Sequence, residues 1–134
     1  NAVVLACGGF GGNEEMLAEY AALSQYDAIG PYVGGAGNTG DGITMAKAVG
    51  AATGMFFTDL GATSDICYTT TGGVIIDGDA RVLDGNGDPI PNLYAAGEMT
   101  DVAVMGNYYT ICGTYNAWSV YTGRIAGANA AAEG

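Results

Sequence analysis

The sequence contains no histidine. That removes the commonest general base, the commonest metal ligand and the Ser-His-Asp triad together. Basic residues are nearly absent too: Lys47, Arg81 and Arg124 stand against fourteen Asp and Glu, for a formal net charge of −11. So acidic a surface repels phosphate backbones and anionic lipid, which excludes nucleic acid as a partner. Cysteine is limited to Cys7, Cys67 and Cys112, widely spaced and without a C-x-x-C pair. Neither a disulfide framework nor a structural zinc site is expected, and all three read as small buried hydrophobes. No apolar run approaches the ~20 residues of a membrane span. The N-terminus lacks the basic flank of a signal peptide.

What is abundant is glycine. Twenty-four of the 134 residues are glycine, against a usual share of roughly 7%, with no collagen-like period. They must serve tight turns or close backbone approach. With 49% of residues hydrophobic, one domain with a packed core is expected.

The run from Ala2 to Cys7 is continuously apolar, the pattern of a strand covered on both faces. So abrupt an opening reads as a fragment. Gly8-Gly9-Phe10-Gly11-Gly12 ends the strand. Asn13 then has the character of an N-cap, with Glu14 and Glu15 where the helix dipole favours acids. A helix through about Ala22 follows, with Met16, Leu17 and Tyr20 on one side. Residues 24–37 read as loop. Thr39-Gly40-Asp41-Gly42 opens a second helix over about 42–52, carrying Ile43, Met45, Ala46 and Val49, and Phe56-Phe57 begins an extended segment. From Gly73 the period changes. Val74 to Asp77 and Arg81 to Leu83 read as strands joined by Gly78-Asp79, a hairpin signal. Asn92 to Glu98 is a third apolar strand, ending at a glycine and an acid. Asn116 to Ala132 is alanine-rich, with Val120, Ile125 and Ala128 at helical spacing. Strands alternating with helices around one hairpin predict an α/β architecture.

Each motif has a plain reading beside a functional one. Asp84-x-Asn86-x-Asp88 imitates half a calcium loop, but Pro89 stands where glycine is needed and Ala95 where a bidentate glutamate is needed, so it reads as a turn. Gly8-Gly9 after a strand is either packing punctuation or a place where backbone N–H groups approach a polyphosphate or ring edge. Asp41 either caps a helix or grips a hydroxyl or amine of a bound nucleotide. Glu98 lies at a strand's carboxyl end, where open α/β sheets bind ligands.

The order of these motifs carries more than any one of them. Strand-Cys-Gly-Gly-Phe-Gly-Gly-Asn, Thr-Gly-Asp-Gly-helix, Thr-Thr-Gly-Gly-Val-hairpin, Pro-Ile-Pro-Asn-Leu-Tyr-Ala-Ala-Gly-Glu and Gly-Arg-Ile-Ala-Gly follow one another over nearly the whole chain. The series resembles the carboxyl half of the FAD-binding domain of the fumarate reductase and succinate dehydrogenase flavoprotein family, which includes urocanate reductases and 3-ketosteroid dehydrogenases. The resemblance implies a partial, Rossmann-like FAD domain of the glutathione-reductase type with a β-hairpin. The family's strand-GxGxxG-helix unit is absent. So is its substrate-capping domain, expected between about residues 57 and 70.

The same resemblance implies residue roles. Ala6, Cys7, Gly8 and Gly9 would pass near the FAD adenosine and pyrophosphate, and Asp41 would contact the cofactor. Glu98 would accept hydrogen bonds from the ribityl chain. Tyr115 and Asn116, opening the last helix, would present backbone N–H groups to the flavin pyrimidine edge; otherwise they simply start a surface helix. A helix N-terminus stabilises a nearby anion by roughly 0.3–1 kcal/mol when exposed and up to ~2 when partly buried, and a reduced flavin carries negative charge at that edge.

Substrate class turns on residues 104–113. Fumarate reductases have there a histidine and an arginine that clamps a carboxylate; this chain has neither. The stretch instead matches the ketosteroid dehydrogenase pattern Val-Met-Gly-His-x-Tyr-x-x-x-Gly, with asparagine at the histidine position. The resemblance makes Tyr109 and Gly113 donors to a substrate ketone oxygen, although Tyr109 also reads as an ordinary buried aromatic. Glu98 departs from that lineage, which has asparagine there, and agrees with the fumarate reductases. Tyr68 stands where reductases place a substrate histidine. The implied activity is FAD-dependent oxidation or reduction of a carbon–carbon bond beside a carbonyl in a small activated alkene or ketone. A carboxylate-directed alkene reductase and a non-catalytic nucleotide-binding module stay open.

Overall fold

A computed structural model of the chain describes residues 1–20, 32–54, 57–60, 67–101 and 113–133. Strand β1 (Val3–Leu5) leads to helix α1 (Glu14–Tyr20), then helix α2 (Asp41–Ala48). Strands β2 (Phe57–Leu60) and β3 (Cys67–Thr71) pair antiparallel as a separate ribbon. Strands β4 (Arg81–Leu83) and β5 (Pro89–Ala95), a 3-10 turn at Gly97–Met99 and the long helix α3 (Thr114–Ala132) complete the order. The main sheet runs β1-β5-β4. β1 lies parallel to β5, Val3 opposite Leu93 and Leu5 opposite Ala95, and β4 is antiparallel to β5. The α/β expectation holds.

Local chemistry accounts for the helix ends. Asn13 caps α1: its Oδ1 accepts the Met16 N–H at 3.0 Å, and its carbonyl accepts the Leu17 N–H. Helix α2 stops at Ala48, short of the expected 52. Gly50, at φ 90°, takes the left-handed turn residue that ends a helix, with the Gly50 N–H donating to Lys47 O and the Ala51 N–H to Ala46 O. Ile43 and Ala46 face the core, while Met45 and Val49 are exposed.

The core lies between α1, α2 and the sheet. It contains Leu5, Phe10, Met16, Leu17, Ile43, Val74, Val82, Ala95 and Met99, and the Phe10 ring meets Tyr20 edge-on at 6.0 Å. A second cluster, Ala80, Tyr94, Ala96 and Ala126, fastens α3 to the sheet. The buried face of α3 is Thr122 and Ala126 with half-buried Trp118 and Ile125; Val120 and Ala128 are exposed, contrary to the spacing expected.

Three further expectations need correction. β1 is not covered on both faces: it is an edge strand of the described sheet, with Val3 54% and Val4 39% exposed. Val74 to Asp77 forms isolated bridges rather than a strand, and its hairpin has a three-residue loop, Gly78 to Ala80. Ala80 adopts φ 62° there, held by burial beside Tyr94 and by its carbonyl, which accepts the Ala95 N–H. The third strand begins at Pro89, not Asn92, and ends at Ala95. Its pairing with β4 slips between Arg81–Tyr94 and Leu83–Pro89, and Asn92 at φ 60° lies in the slipped stretch.

Candidate functional site

β1 and β5 point the same way and end side by side, so the segments that follow them emerge together. Ala6 to Gly9 leaves β1, Ala96 to Glu98 leaves β5, and the Ala96 N–H donates to Leu5 O across the junction at 2.9 Å. Residues 38–42 join them. The Gly40 N–H donates to Gly9 O at 3.1 Å and the Gly12 N–H to Asn38 O at 2.8 Å. Gly42, the second residue of α2, lies against Cys7 and Met99: an added Cβ would stand 3.1 Å from the Cys7 Cβ.

Gly9 sits at the tightest point. A Cβ there would lie 2.3 Å from Thr70 Oγ1 and 2.7 Å from Glu98 Oε1, so only glycine allows this approach. Around it the polar groups interlock. The buried Phe10 N–H donates to Thr70 Oγ1 at 3.1 Å, and the Thr70 N–H donates to Glu98 Oε1 at 3.0 Å. Gly73 of the Thr-Thr-Gly-Gly motif makes the second close approach, since its added Cβ would fall 1.8 Å from Met99 O. The Val74 N–H bonds that same carbonyl at 2.9 Å. Glycines from three separated motifs thus bring three backbones to one end of the sheet.

Four of the anticipated positions, Gly8, Gly9, Asp41 and Glu98, meet at that end. Gly9 is buried and Glu98 half-buried. Asp41 is exposed, its Oδ1 accepting the Thr39 hydroxyl at 3.0 Å. Ala6 and Cys7 follow β1 there too, but are exposed; Cys7 is not the buried hydrophobe expected, because it trails an edge strand. α3 comes in from the opposite flank and touches Gly97 through Ser119 and Thr122. Its first residues lie one turn before Ser119. Gly113, at φ 90°, forms the N-cap with no side-chain cap bond, and no acid occupies the first turn. Gly113 and Asn116 are exposed and Tyr115 half-buried. Tyr109 lies outside the described residues, and so does the side chain of Tyr68.

Two of the three cations are committed elsewhere. Lys47 bonds the Tyr20 hydroxyl, lies 4.8 Å from its ring centroid and 3.7 Å from Glu19, and its pKa is raised chiefly by the Tyr20 bond. Arg81 pairs with Asp77 at 2.7 Å and Asp79 at 3.4 Å, which raises its pKa. Arg124 is exposed on α3. An anionic ligand at this end would have to rely on backbone N–H groups and helix starts. Asp84 to Asp88 is a turn, in which Asp84 Oδ1 accepts the N–H groups of Asn86 and Asp88, lowering its pKa. Among the described residues no group of acids, cysteines or histidines could hold a metal ion, and no helix is long and apolar enough to cross a membrane. A cavity of about 280 Å³ lies between the 75–80 hairpin and α3, lined by Ile76, Trp118, Tyr121 and Ile125. It contains none of the anticipated residues, and the convergence of glycines and acids locates the site better than its volume does.

The motif reading missed Thr70, Thr100, Trp118 and Thr122. The Thr-Thr-Thr run before Gly72 and a lone threonine in the alanine-rich helix were the available signals.

Comparison with known proteins finds the same fold. The solved structure of a flavocytochrome c3 fumarate reductase in its open conformation superposes with a TM-score of 0.78 at 21% identity, over 97% of this chain and 46% of that one. The 3-ketosteroid-Δ4-(5α)-dehydrogenase of Rhodococcus jostii gives 0.74 at 17%, over 97% and 52%. The family described as FAD binding domain matches residues 61–115. The fold matches part of the FAD-binding fold of these flavoproteins. FAD is the cofactor of that family. By sequence, a KsdD-like steroid dehydrogenase of Mycobacterium tuberculosis is 42% identical over 64 residues, 46% of this chain and 11% of that protein. Urocanate reductase of Eggerthella lenta is 44% identical over 65 residues, 48% of this chain and 10% of that protein. The chain thus spans about half of the solved structures, and its match about a tenth of the curated relatives.

The residues present fit FAD. Ribityl hydroxyls need acceptors, which Glu98 and Asp41 offer beside the Gly9 approach. A pyrimidine edge that gains negative charge is favoured near a helix N-terminus, and the first turn of α3 carries no acid.

Proposed function

We propose that the full-length protein is an FAD-dependent oxidoreductase that moves a hydride at a carbon–carbon bond adjacent to a carbonyl, and that this chain is the carboxyl half of its cofactor domain. The observation that carries the reading is the meeting of Gly8-Gly9, Asp41 and Glu98 beyond the parallel ends of β1 and β5, where an α/β sheet binds its ligand.

In this reading Ala6 to Gly9 run along the adenosine and pyrophosphate. Asp41 and Glu98 accept hydrogen bonds from the cofactor's hydroxyl groups. Tyr115 and Asn116 direct backbone N–H groups at the pyrimidine edge and stabilise its charge. Bound FAD supplies the hydride acceptor and donor. Tyr109 and the Gly113 N–H donate to the substrate's carbonyl oxygen, stabilising the charge that develops there as the hydride moves at the β-carbon. One such preorganised donor is worth ~10²–10³ in kcat. The substrate-capping segment, and the proton donor or acceptor with it, belong between about 57 and 70, where the paired strands β2 and β3 form a two-stranded stalk.

A carboxylate-directed reductase is the second reading. Glu98 in the Ala-Gly-Glu motif and the likeness to a urocanate reductase favour it; with Lys47 and Arg81 paired elsewhere, its carboxylate-binding arginine would come from the substrate-capping segment. Tyr109→Phe in the full-length protein separates the two. The ketone reading predicts about a hundredfold loss of kcat; unchanged turnover on an unsaturated carboxylate supports the other.

A further inference from the structure

The turn that presents Glu98 is fastened to α3 by a closed set of hydrogen bonds. The Gly97 N–H donates to Thr122 Oγ1 at 3.0 Å, and the Thr122 hydroxyl donates to Trp118 O at 2.7 Å. Trp118 Nε1 donates to Thr100 Oγ1 at 2.8 Å, and the Thr100 hydroxyl donates back to Gly97 O at 2.7 Å. The Thr100 N–H reaches the same carbonyl at 3.0 Å. Both backbone groups of Gly97 are thereby satisfied, one from the helix and one from the turn.

Both threonines are buried, Thr100 at 0% and Thr122 at 2% exposure. Each hydroxyl has one proton and here uses it in a fixed direction while accepting from another donor. Rotating either side chain breaks two bonds at a buried position. Such a device costs more to leave half-made than to omit, and an alanine at 122 would pack on β5 as Ala126 does. Its geometry has one evident product: the residue preceding Glu98 is locked to the helix whose amino end lies about one turn before Trp118 and two before Thr122.

We propose that Trp118, Thr100 and Thr122 are positioning residues for the cofactor. They hold the Glu98 carboxylate in register with the amino end of α3, so that the ribityl chain and the pyrimidine edge of one flavin are met together. The inference rests on the reading of this end of the sheet as the FAD site.

The test measures binding of FAD and of ADP to the full-length protein. ADP shares the adenosine and pyrophosphate but lacks the ribityl chain and the ring. Thr122→Val keeps the shape and deletes both bonds; it is expected to weaken FAD about tenfold, to leave ADP binding unchanged, and to be rescued by Thr122→Ser. Trp118→Phe, which removes the Nε1 donor and part of the ring, serves should the valine variant not fold, with the same FAD-selective loss expected. A variant that binds FAD as tightly as the wild type overturns the proposal. Equal losses for FAD and ADP overturn it as well, since they mark a general structural role. A wild-type protein that binds ADP but not FAD overturns the underlying reading and this one together.

Discussion

Replacing Gly9 by alanine tests the closest approach in the site. The new Cβ would lie 2.3 Å from Thr70 Oγ1, 2.7 Å from Glu98 Oε1 and 2.9 Å from Glu98 Cδ, where ordinary contact begins near 3.4 Å. Glu98 can swing away at the end of its side chain, forfeiting the Thr70 N–H bond, worth about 1 kcal/mol. Thr70 can relieve its overlap only by turning its hydroxyl from the Phe10 N–H. That strands a buried donor, at about 1–3 kcal/mol. Alanine recovers about 0.4–1 kcal/mol by restricting the unfolded chain. A net destabilisation of about 1–3 kcal/mol follows. Urea unfolding followed by the fluorescence of Trp118, the single tryptophan, measures it directly. Gly37→Ala is the control: nothing lies within 4 Å of its added Cβ, and its midpoint should move by no more than ~0.5 kcal/mol. A Gly9→Ala chain as stable as the control would refute the packing argument.

Other expectations follow from the same structure. Thr70→Val leaves the Phe10 N–H without its acceptor and should cost about 1–3 kcal/mol in the same unfolding assay, whereas Thr70→Ser should cost well under half of that. Asn13→Ala removes the α1 cap and should lower stability by about 1 kcal/mol. Asp84 is held below its ordinary pKa of 3.8 by the N–H groups of Asp88 and Asn86. Its contribution is therefore complete above that value and lost as the pH falls through the lower folded pKa, so the wild-type advantage over Asp84→Ala should vanish in acid titration. Tyr94 runs the other way. Its hydroxyl donates to Glu133 at 2.6 Å, which raises its pKa above 10.0; the stability lost in Tyr94→Phe should be constant below pH 10 and disappear as the pH rises through the folded value.

Features governed by neighbouring residues were legible in the sequence. Asn13 followed by two glutamates gave the start of α1, and the alanine-rich tail gave α3 to within two residues. The order of the glycine motifs carried the resemblance, and in the structure Gly9 and Gly73 meet the turn after β5. What escaped depends on partners distant in sequence. Thr122 is 25 residues from Gly97 and Trp118 is 18 from Thr100, and no local pattern marks a threonine as a clasp. Ala80 takes positive φ because tertiary packing requires it, against the preference of its residue type, and Asn92, a type that tolerates the left-handed region, does so at a bulge that no local pattern marks. The apolar run at Ala2 to Cys7 could not disclose that β1 lies at an edge, which leaves Val3, Val4 and Cys7 exposed.

The claim that the carboxyl end of β1 and β5 receives FAD is tested most directly by the visible absorbance of the full-length protein after FAD has been added and the unbound excess removed. The account predicts a flavin band at one equivalent per chain in the wild type and a markedly weaker one in Glu98→Gln. A folded, colourless protein that retains no FAD, or a Glu98→Gln variant as yellow as the wild type, would contradict it.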